Sequence, residues 1–382
     1  MSARVVLLST NLARGGAESQ VAQLAAALRR RGWEASVVSL LAPTAHTEAL
    51  AAAGVPVFTA AMLPGRPDPR AWVRLARILG ALRPHVLHGH MFHANLAARL
   101  ARLVLPVPVV VSTIHSIAES PRGSASVRGR DRLYRVTGWL AGATVCVSEA
   151  VAERHAAARA VSARRLRVIP NGVDTTFFRP DAARRADTRA ALALGGEFAW
   201  LAVGRLMWKK DYPTMLDAMA RQPGGVLLIA GEGPLDAELR ALAARLGARA
   251  RFLGPREDIP ALMNACDGLL LSSIVEGLPV VLLEAAASGL PAVAAGVGGV
   301  REAVLDGRTG YAVPPGDPAA LAAAMARLAS LDAETRARMS AAAREHASVR
   351  FDIATVATQW ERLYLELLAS ARRRDLEPCP HE

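Results

Sequence analysis

The sequence predicts an α/β protein built from two doubly wound parallel-sheet domains. Three observations carry that expectation. Short β-branched runs alternate with Ala/Leu/Arg helical patterns along the chain, which is the rhythm of βαβ units. The rhythm breaks once, near residues 170–185, and then restarts. The length, 382 residues with 52% hydrophobic, suits two packed cores. Aromatics make up only 4%, so Ala, Leu and Val must fill those cores.

Taken in order, Val5–Leu8 reads as the first strand. A helix near Ala17–Arg31 follows, with Val21, Leu24 and Leu28 on one face. Strands are expected at Ser36–Leu40 and Val55–Thr59, a helix near Pro69–Leu82, and strands at His85–His88, Pro108–Ser112 and Thr144–Val147. Ile169-Pro170-Asn171-Gly172-Val173-Asp174 is turn chemistry, and residues 180–196 read as a connection holding one short helix. Phe198–Val203, Val226–Ala230, Ala250–Leu253, Gly268–Ser272 and Pro291–Ala294 then repeat the strand pattern. A last helical pattern near Ile353–Arg372 has no strand after it and is expected to pack back across the domains. The expected division is an N-terminal domain over 1–170, a linker over 171–185, a C-terminal domain over 186–352, and a terminal helix with tail over 353–382.

Composition excludes several functions. The formal charge is +12, but only Lys209 and Lys210 are lysines, and the arginines are scattered over helix faces rather than gathered with aromatics. That distribution argues against nucleic acid. The helix near Arg70–Arg83, with Trp72, Arg74 and Arg77, is compatible with peripheral contact on an anionic membrane. Cys146, Cys266 and Cys379 are too few and too far apart for a disulfide framework, which favours a reducing compartment. Arg4 precedes only a short apolar strand before Ser9-Thr10-Asn11, so no secretory leader is expected. From Gly277 to Val300 the chain is apolar enough to suggest a membrane span, but Pro279, Gly289, Pro291 and Gly296 divide it into helix, turn and strand.

Open parallel sheets take ligands beyond the carboxyl ends of their strands. The residues after each strand are therefore the places to look, and two facing domains would border one cleft between them. After the first strand, Gly15-Gly16 leads into a helix whose amides favour an anion, although neither a dinucleotide fingerprint nor a P-loop is present. After Val203 comes Gly204-Arg205-Leu206-Met207-Trp208-Lys209-Lys210, cations of the kind that neutralise a diphosphate. Glu276-Gly277-Leu278-Pro279 precedes a helix in which Glu284 is the one acid among Val, Leu and Ala. A carboxylate there needs a partner such as sugar hydroxyls or a buried cation. Eight residues of helix would separate Glu276 from Glu284 by roughly 12 Å, too far for the paired acids of a glycosidase. His88 and His90 alternate on one strand but lack an Asp, Glu or Cys to complete a metal site. His115 follows a strand in Ser112-Thr113-Ile114-His115-Ser116, where an uncharged imidazole suits a substrate hydroxyl equally with a structural role.

Together these segments resemble the retaining glycosyltransferases of family 4, which have the GT-B fold. The resemblance covers nearly the whole chain and is densest from Gly204 to Pro315. It rests on Gly15-Gly16-Ala17-Glu18, Pro170-Asn171-Gly172-Val173-Asp174, Gly204-Arg205-Leu206 with Lys210, Gly231-Glu232-Gly233-Pro234 and Phe252-Leu253-Gly254. The most specific piece is the E-x7-E motif from Glu276 to Glu284. The resemblance implies a nucleotide-sugar donor, UDP-linked by preference over GDP, held mainly by the C-terminal domain. Arg205 and Lys210 would bind its diphosphate, Glu284 the ribose hydroxyls, and Glu276 with the amides of Gly277 and Leu278 the sugar. Gly15 and Gly16 would approach the phosphates, Gly231 would border the donor, and Arg256 would lie in the base-contacting turn. His115 would approach the donor sugar. Asp211 departs from the pattern, since relatives usually carry Gly after the lysine.

The chemistry implied is same-face substitution without a protein nucleophile. No Asp-x-Asp pair appears, so no metal and no cofactor are expected. The acceptor would be a glycan, a lipid-linked glycan or a small metabolite, in polysaccharide or glycolipid biosynthesis. Such a protein is expected in the cytoplasm; the helix near Arg70–Arg83 reads either as an ordinary amphipathic surface helix, the favoured alternative, or as a peripheral contact on the inner face of the plasma membrane. A nucleotide-sugar epimerase of the same fold and an inactive nucleotide-sugar binder remain as rivals, because fold alone does not decide function.

Overall fold

A computed structural model describes residues 3–65, 68–117 and 123–376; Cys379 and the rest of the tail lie outside these. The chain forms two compact units. The first comprises Met1–Gly172 with Ile353–Glu382, and the second Val173–Asp352.

In the first unit the chain runs β1 (Arg4–Ser9), α1 (Gly16–Arg30), β2 (Glu34–Ser39), α2 (Thr47–Ala52), β3 (Val57–Thr59), α3 (Pro69–Leu82), β4 (Val86–His90), α4 (Phe92–Ala101), β5 (Val109–Ile114), α5 (Gly123–Thr137), β6 (Ala143–Cys146), α6 (Glu149–Ala157) and β7 (Leu166–Val168). The seven strands are ordered β3-β2-β1-β4-β5-β6-β7, and every pairing is parallel. Order reverses between β1 and β4, where the crossovers leave towards opposite edges. The strands read as nearly unbroken apolar runs because helices cover both faces.

The second unit runs α7 (Ala182–Ala191), β8 (Ala199–Val203), α8 (Tyr212–Ala220), β9 (Val226–Ala230), α9 (Asp236–Leu246), β10 (Ala250–Gly254), α10 (Ile259–Ala265), β11 (Gly268–Leu271), α11 (Val280–Ala287), β12 (Ala292–Ala295), α12 (Val300–Ala303), β13 (Gly310–Val313), α13 (Pro318–Ala329) and α14 (Ala333–Arg350). Its six parallel strands are ordered β10-β9-β8-β11-β12-β13, so order reverses between β8 and β11. Trp200, Tyr212, Met215, Leu270 and Met325 pack together in its core.

Two boundaries differ from the sequence reading. Residues 173–185 belong to the second unit instead of forming a free linker. The Val173 N–H donates to the Phe351 carbonyl at 2.8 Å, and the Thr175 hydroxyl to the Asp352 carboxylate at 2.5 Å. Turn residues are visible locally, whereas anchors this remote in sequence are not. The terminal helix α15 (Ile353–Leu376) belongs to the first unit, where Val356, Trp360, Leu363 and Tyr364 join the β1 and α1 core. Cys146 and Cys266 are both buried. Among the described residues, no helix is long and apolar enough to cross a membrane.

Candidate functional site

In the second unit the loops leaving β8 and β11 meet at the point where strand order reverses. This is where doubly wound sheets bind ligands, because the two crossovers part and leave a crevice. The β8 loop carries Arg205, exposed, and Lys210. The β11 loop carries Glu276. Lys210 Nζ donates to Glu276 Oε1 at 2.6 Å, with the two side chains only 16% and 12% exposed. A shielded ion pair of this kind is poised for exchange: an incoming anion competes for the ammonium, and an incoming hydroxyl competes for the carboxylate.

The surroundings hold this pair in place. The Ser272 hydroxyl lies 2.8 Å from the Lys210 carbonyl and 2.7 Å from that of Asp211. The Ile274 N–H donates to the Lys209 carbonyl at 2.9 Å, a second tie between the loops. Tyr212 donates its hydroxyl to the Gly204 carbonyl at 3.0 Å. Burial, and secondarily the charge of Glu276, raises the Tyr212 pKa, so the phenol stays a donor. Ser272 and Tyr212 were not singled out from the sequence. The available signals were their positions, one at a strand end and one two residues beyond the lysine.

Gly231 takes φ +154, and a Cβ on it would lie 2.0 Å from the Gly204 carbonyl oxygen. Only glycine allows the β9 and β8 loops to approach this closely. Asp211 sits at φ +46, in the left-handed region that glycine occupies without strain and aspartate tolerates. The exception in the motif therefore keeps the glycine-type backbone.

Glu284 lies in the first turns of α11, among Leu282, Leu283, Ala285 and Ala286. The residue is partly accessible, yet its carboxyl is so enclosed that desolvation raises its pKa from 4.5 to about 7. Gly277 is buried, and its carbonyl accepts from the Gly299 N–H at 2.7 Å. The Leu278 side chain is buried. Arg256 is engaged with Asp258 at 2.8 and 2.6 Å, and no contact joins it to the Lys210–Glu276 pair.

In the first unit the corresponding reversal lies between β1 and β4. Gly15 caps α1 in an extended conformation, and Gly16 begins the helix. His115 directly follows β5 and approaches His90, at the end of β4, with His90 Nδ1 and His115 Nε2 3.1 Å apart. His88 stacks on His90 at 3.9 Å between ring centroids and is held by the Tyr364 and Thr113 hydroxyls, each at 2.6 Å. Burial lowers the His115 pKa to about 4 and holds His88 and His90 well below the usual range, so the cluster is neutral. His90 Nε2 and His115 Nδ1 are buried without a protein partner. They border a cavity of about 10 Å³ that also touches Gln20, Thr113 and Asn171, room for about one water. Asn11 Oδ1, Ser39 Oγ and His46 Nε2 are likewise buried and unpartnered, all beyond the carboxyl ends of β1 and β2 or at the end of β2. Buried polar atoms cost free energy unless something pairs with them. His90 and Gln20 were not chosen from the sequence; the alternation of His88 with His90 was the available signal. Among the described residues, no group of three or more His, Cys, Asp and Glu side chains is placed to hold a metal ion.

The sequence of the chain matches a known class over both units. Residues 184–346 fit the family described as Glycosyl transferases group 1, and residues 14–177 fit Glycosyltransferase Family 4. The chain belongs to the group 1 glycosyltransferases, and its fold is GT-B.

Among individual proteins, glycogen synthase of Mycobacterium tuberculosis is 34% identical over 328 residues, covering 81% of this chain and 75% of that protein. The UDP-Gal:alpha-D-GlcNAc-diphosphoundecaprenol alpha-1,3-galactosyltransferase of Escherichia coli is 29% identical over 252 residues, 61% of this chain and 63% of that one. The crystal structure of Anabaena Alr3699/HepE in complex with UDP-glucose superposes with a TM-score of 0.82 at 27% identity, over 96% of this chain and 99% of that one.

Proposed function

We propose that this glycosyltransferase moves a hexose from a UDP-sugar to an acceptor hydroxyl with retention of anomeric configuration and without a metal ion. The Lys210–Glu276 pair at the reversal point of the second unit carries this reading. The UDP-glucose complex of the Anabaena relative supports the choice of donor.

Lys210 and the exposed Arg205 are the groups suited to a diphosphate, the first as a point charge and the second as a planar fork. Diphosphate binding would draw the Lys210 ammonium from Glu276, freeing the carboxylate to accept from sugar hydroxyls. Glu284 would accept from the ribose hydroxyls, while the amides at the start of α11 add a positive dipole end. Gly231 keeps the loops close enough for this, Gly277 and Leu278 offer backbone groups, and Arg256 would act only after leaving Asp258. Gly15 and Gly16, at the start of α1 in the first unit, offer amides suited to an anion.

In the transfer step the acceptor oxygen bonds to the anomeric carbon on the face from which the diphosphate departs. The bond from that carbon to the phosphate oxygen breaks, and the departing oxygen takes the acceptor proton. Arg205 and Lys210 offset the negative charge that develops on it, a task that needs preorganised cations and not necessarily a metal. Neutral His115 and the unpartnered atoms near it offer hydrogen bonds to hydroxyls without adding charge. The acceptor is a glycan, a lipid-linked glycan or a small metabolite.

Incubation with UDP-glucose and a panel of acceptors in EDTA tests this, with UDP release and the product anomer followed by NMR. An α-linked product formed equally with and without Mg²⁺ is expected. A β-linked product, or dependence on the ion, would overturn the proposal.

A further inference from the structure

One face of the first unit combines exposed apolar side chains with unbalanced positive charge. Trp72 and Val73 on α3, Leu100 in the last turn of α4 with Leu103 and Val104 just past it, and Leu133, Val136 and Trp139 on and just after α5 are all exposed, Val104 by 74% and Trp139 by 62%. These elements are joined. Arg102, just past α4, donates to the Leu140 carbonyl at 3.0 Å, and the Phe92 and Tyr134 rings meet edge-on at 5.4 Å. Between α3 and α4 runs an apolar groove of about 250 Å³, lined by side chains that include Trp72, Leu75 and Leu79 from one side and Leu100, Val104 and Leu105 from the other.

The charge around this groove is one-sided. From Pro69 to Ala118 the sequence contains six arginines and no acid. From Pro69 to Ser148 it contains eleven arginines against two acids, a balance of +9 out of the chain's +12. Some of these arginines serve the fold. Arg99 is buried, and Arg74, with its side chain still 41% exposed, donates to the Ala60 and Ala61 carbonyls and pairs with Asp68. Arg70, Arg77 and Arg83 around α3, and Arg128 and Arg132 on α5, are exposed.

We propose that this face docks the protein on an anionic lipid bilayer, with one acyl chain entering the groove between α3 and α4. Tryptophans beside exposed aliphatics suit the headgroup boundary. The exposed arginines complement anionic headgroups, and from Pro69 to Ser148 arginines outnumber acids eleven to two. The groove is smaller than the roughly 300–1,000 Å³ of a drug-sized pocket and offers no polar lining side chain, which suits a single hydrocarbon chain. Contact is peripheral. Docking and transfer fail separately, since vesicle binding needs no nucleotide.

Flotation of the full chain with vesicles tests the proposal, using phosphatidylcholine alone or with 30% phosphatidylglycerol. The protein is expected to float with the anionic vesicles in 50 mM NaCl, to be released in 500 mM NaCl, and to ignore the neutral ones. At about fivefold per arginine near the surface, the double variant R70Q/R77Q should bind about 25-fold more weakly. Val104→Asp should abolish flotation while keeping the wild-type melting temperature, because the position is 74% exposed. Acyl-chain bromolipids should quench wild-type fluorescence more than that of Trp72→Phe. No flotation, equal flotation with neutral vesicles, or variants that float like the wild type would overturn the docking face. Equal quenching would overturn the groove assignment. A concentration-dependent dimer broken by Val104→Asp, with no vesicle binding, would assign the face to a second copy.

Discussion

Replacing Glu284 with Gln isolates the cost of keeping an acid on an apolar helix. Desolvation raises its carboxyl pKa from 4.5 to about 7. Between those values the folded chain retains a proton that the unfolded chain has lost, so stability falls as pH rises, and the penalty is complete above about pH 7. A shift of about 2.5 units at about 1.36 kcal/mol each gives about 3 kcal/mol as an upper bound, since the side chain keeps partial solvent access. Gln matches the protonated acid in shape and carries no such penalty. Glu284→Gln should therefore be more stable than wild type by about 2–3 kcal/mol at pH 8, and by less than about 1 kcal/mol at pH 5. For a unit of this size that is a rise of about 4–12 °C in melting temperature at the higher pH. Calorimetric melts of both proteins at the two pH values measure it. UDP affinity should fall about 10- to 100-fold at the same time, because a charged hydrogen bond to the ribose is lost. A variant no more stable at pH 8 than wild type, or one that gains equally at both pH values, would show that the Glu284 carboxylate carries no such burial penalty.

The first unit should show the opposite pH trend. Burial lowers the His115 and His155 pKa values to about 4, so the unfolded chain binds more protons between pH 6.5 and 4 and stability is lost as pH falls through that window; melts from pH 7 to pH 4.5 read this directly. Gly231→Ala should abolish UDP binding in calorimetry, because its Cβ would sit 2.0 Å from the Gly204 oxygen, whereas Gly247→Ala, at φ +66 with no neighbour within 4 Å, should keep binding and lose only about 1–2 kcal/mol of stability. Asp211→Gly should raise stability by about 1 kcal/mol in denaturant titration by relieving its left-handed backbone at φ +46.

Much of the architecture was legible because the core strands are β-branched and bounded by turns. Val226–Ala230 is both the expected and the observed strand, and α3 runs over Pro69–Leu82 as expected. The edge strands β3 and β10 were expected, whereas the edge strands β7 and β13 escaped. Leu166–Val168 has only three residues, none of them buried, and Gly310–Val313 is framed by Asp306-Gly307 and Pro314-Pro315, so turn residues mask its short run. In the site, Lys210 and Glu276 were each identifiable as strand-end residues. Their pairing was not, because it depends on two loops 66 residues apart meeting where strand order reverses. The same holds for His88, whose hydroxyl partner Tyr364 arrives on a helix from the far end of the chain. Local chemistry selects candidates; the topology of the sheet decides which of them meet.

The proposed binding of a nucleoside-diphosphate sugar by the second unit depends on Lys210. Melting of the wild type and Lys210→Ala with UDP, GDP, ADP and their sugar conjugates, in EDTA, tests it most directly, since a ligand that binds the folded state raises its stability by mass action. UDP and a UDP-sugar should raise the wild-type melting temperature and leave that of Lys210→Ala unmoved. No shift for any nucleotide even after Mg²⁺ is added, or an equal shift in the variant, would contradict it.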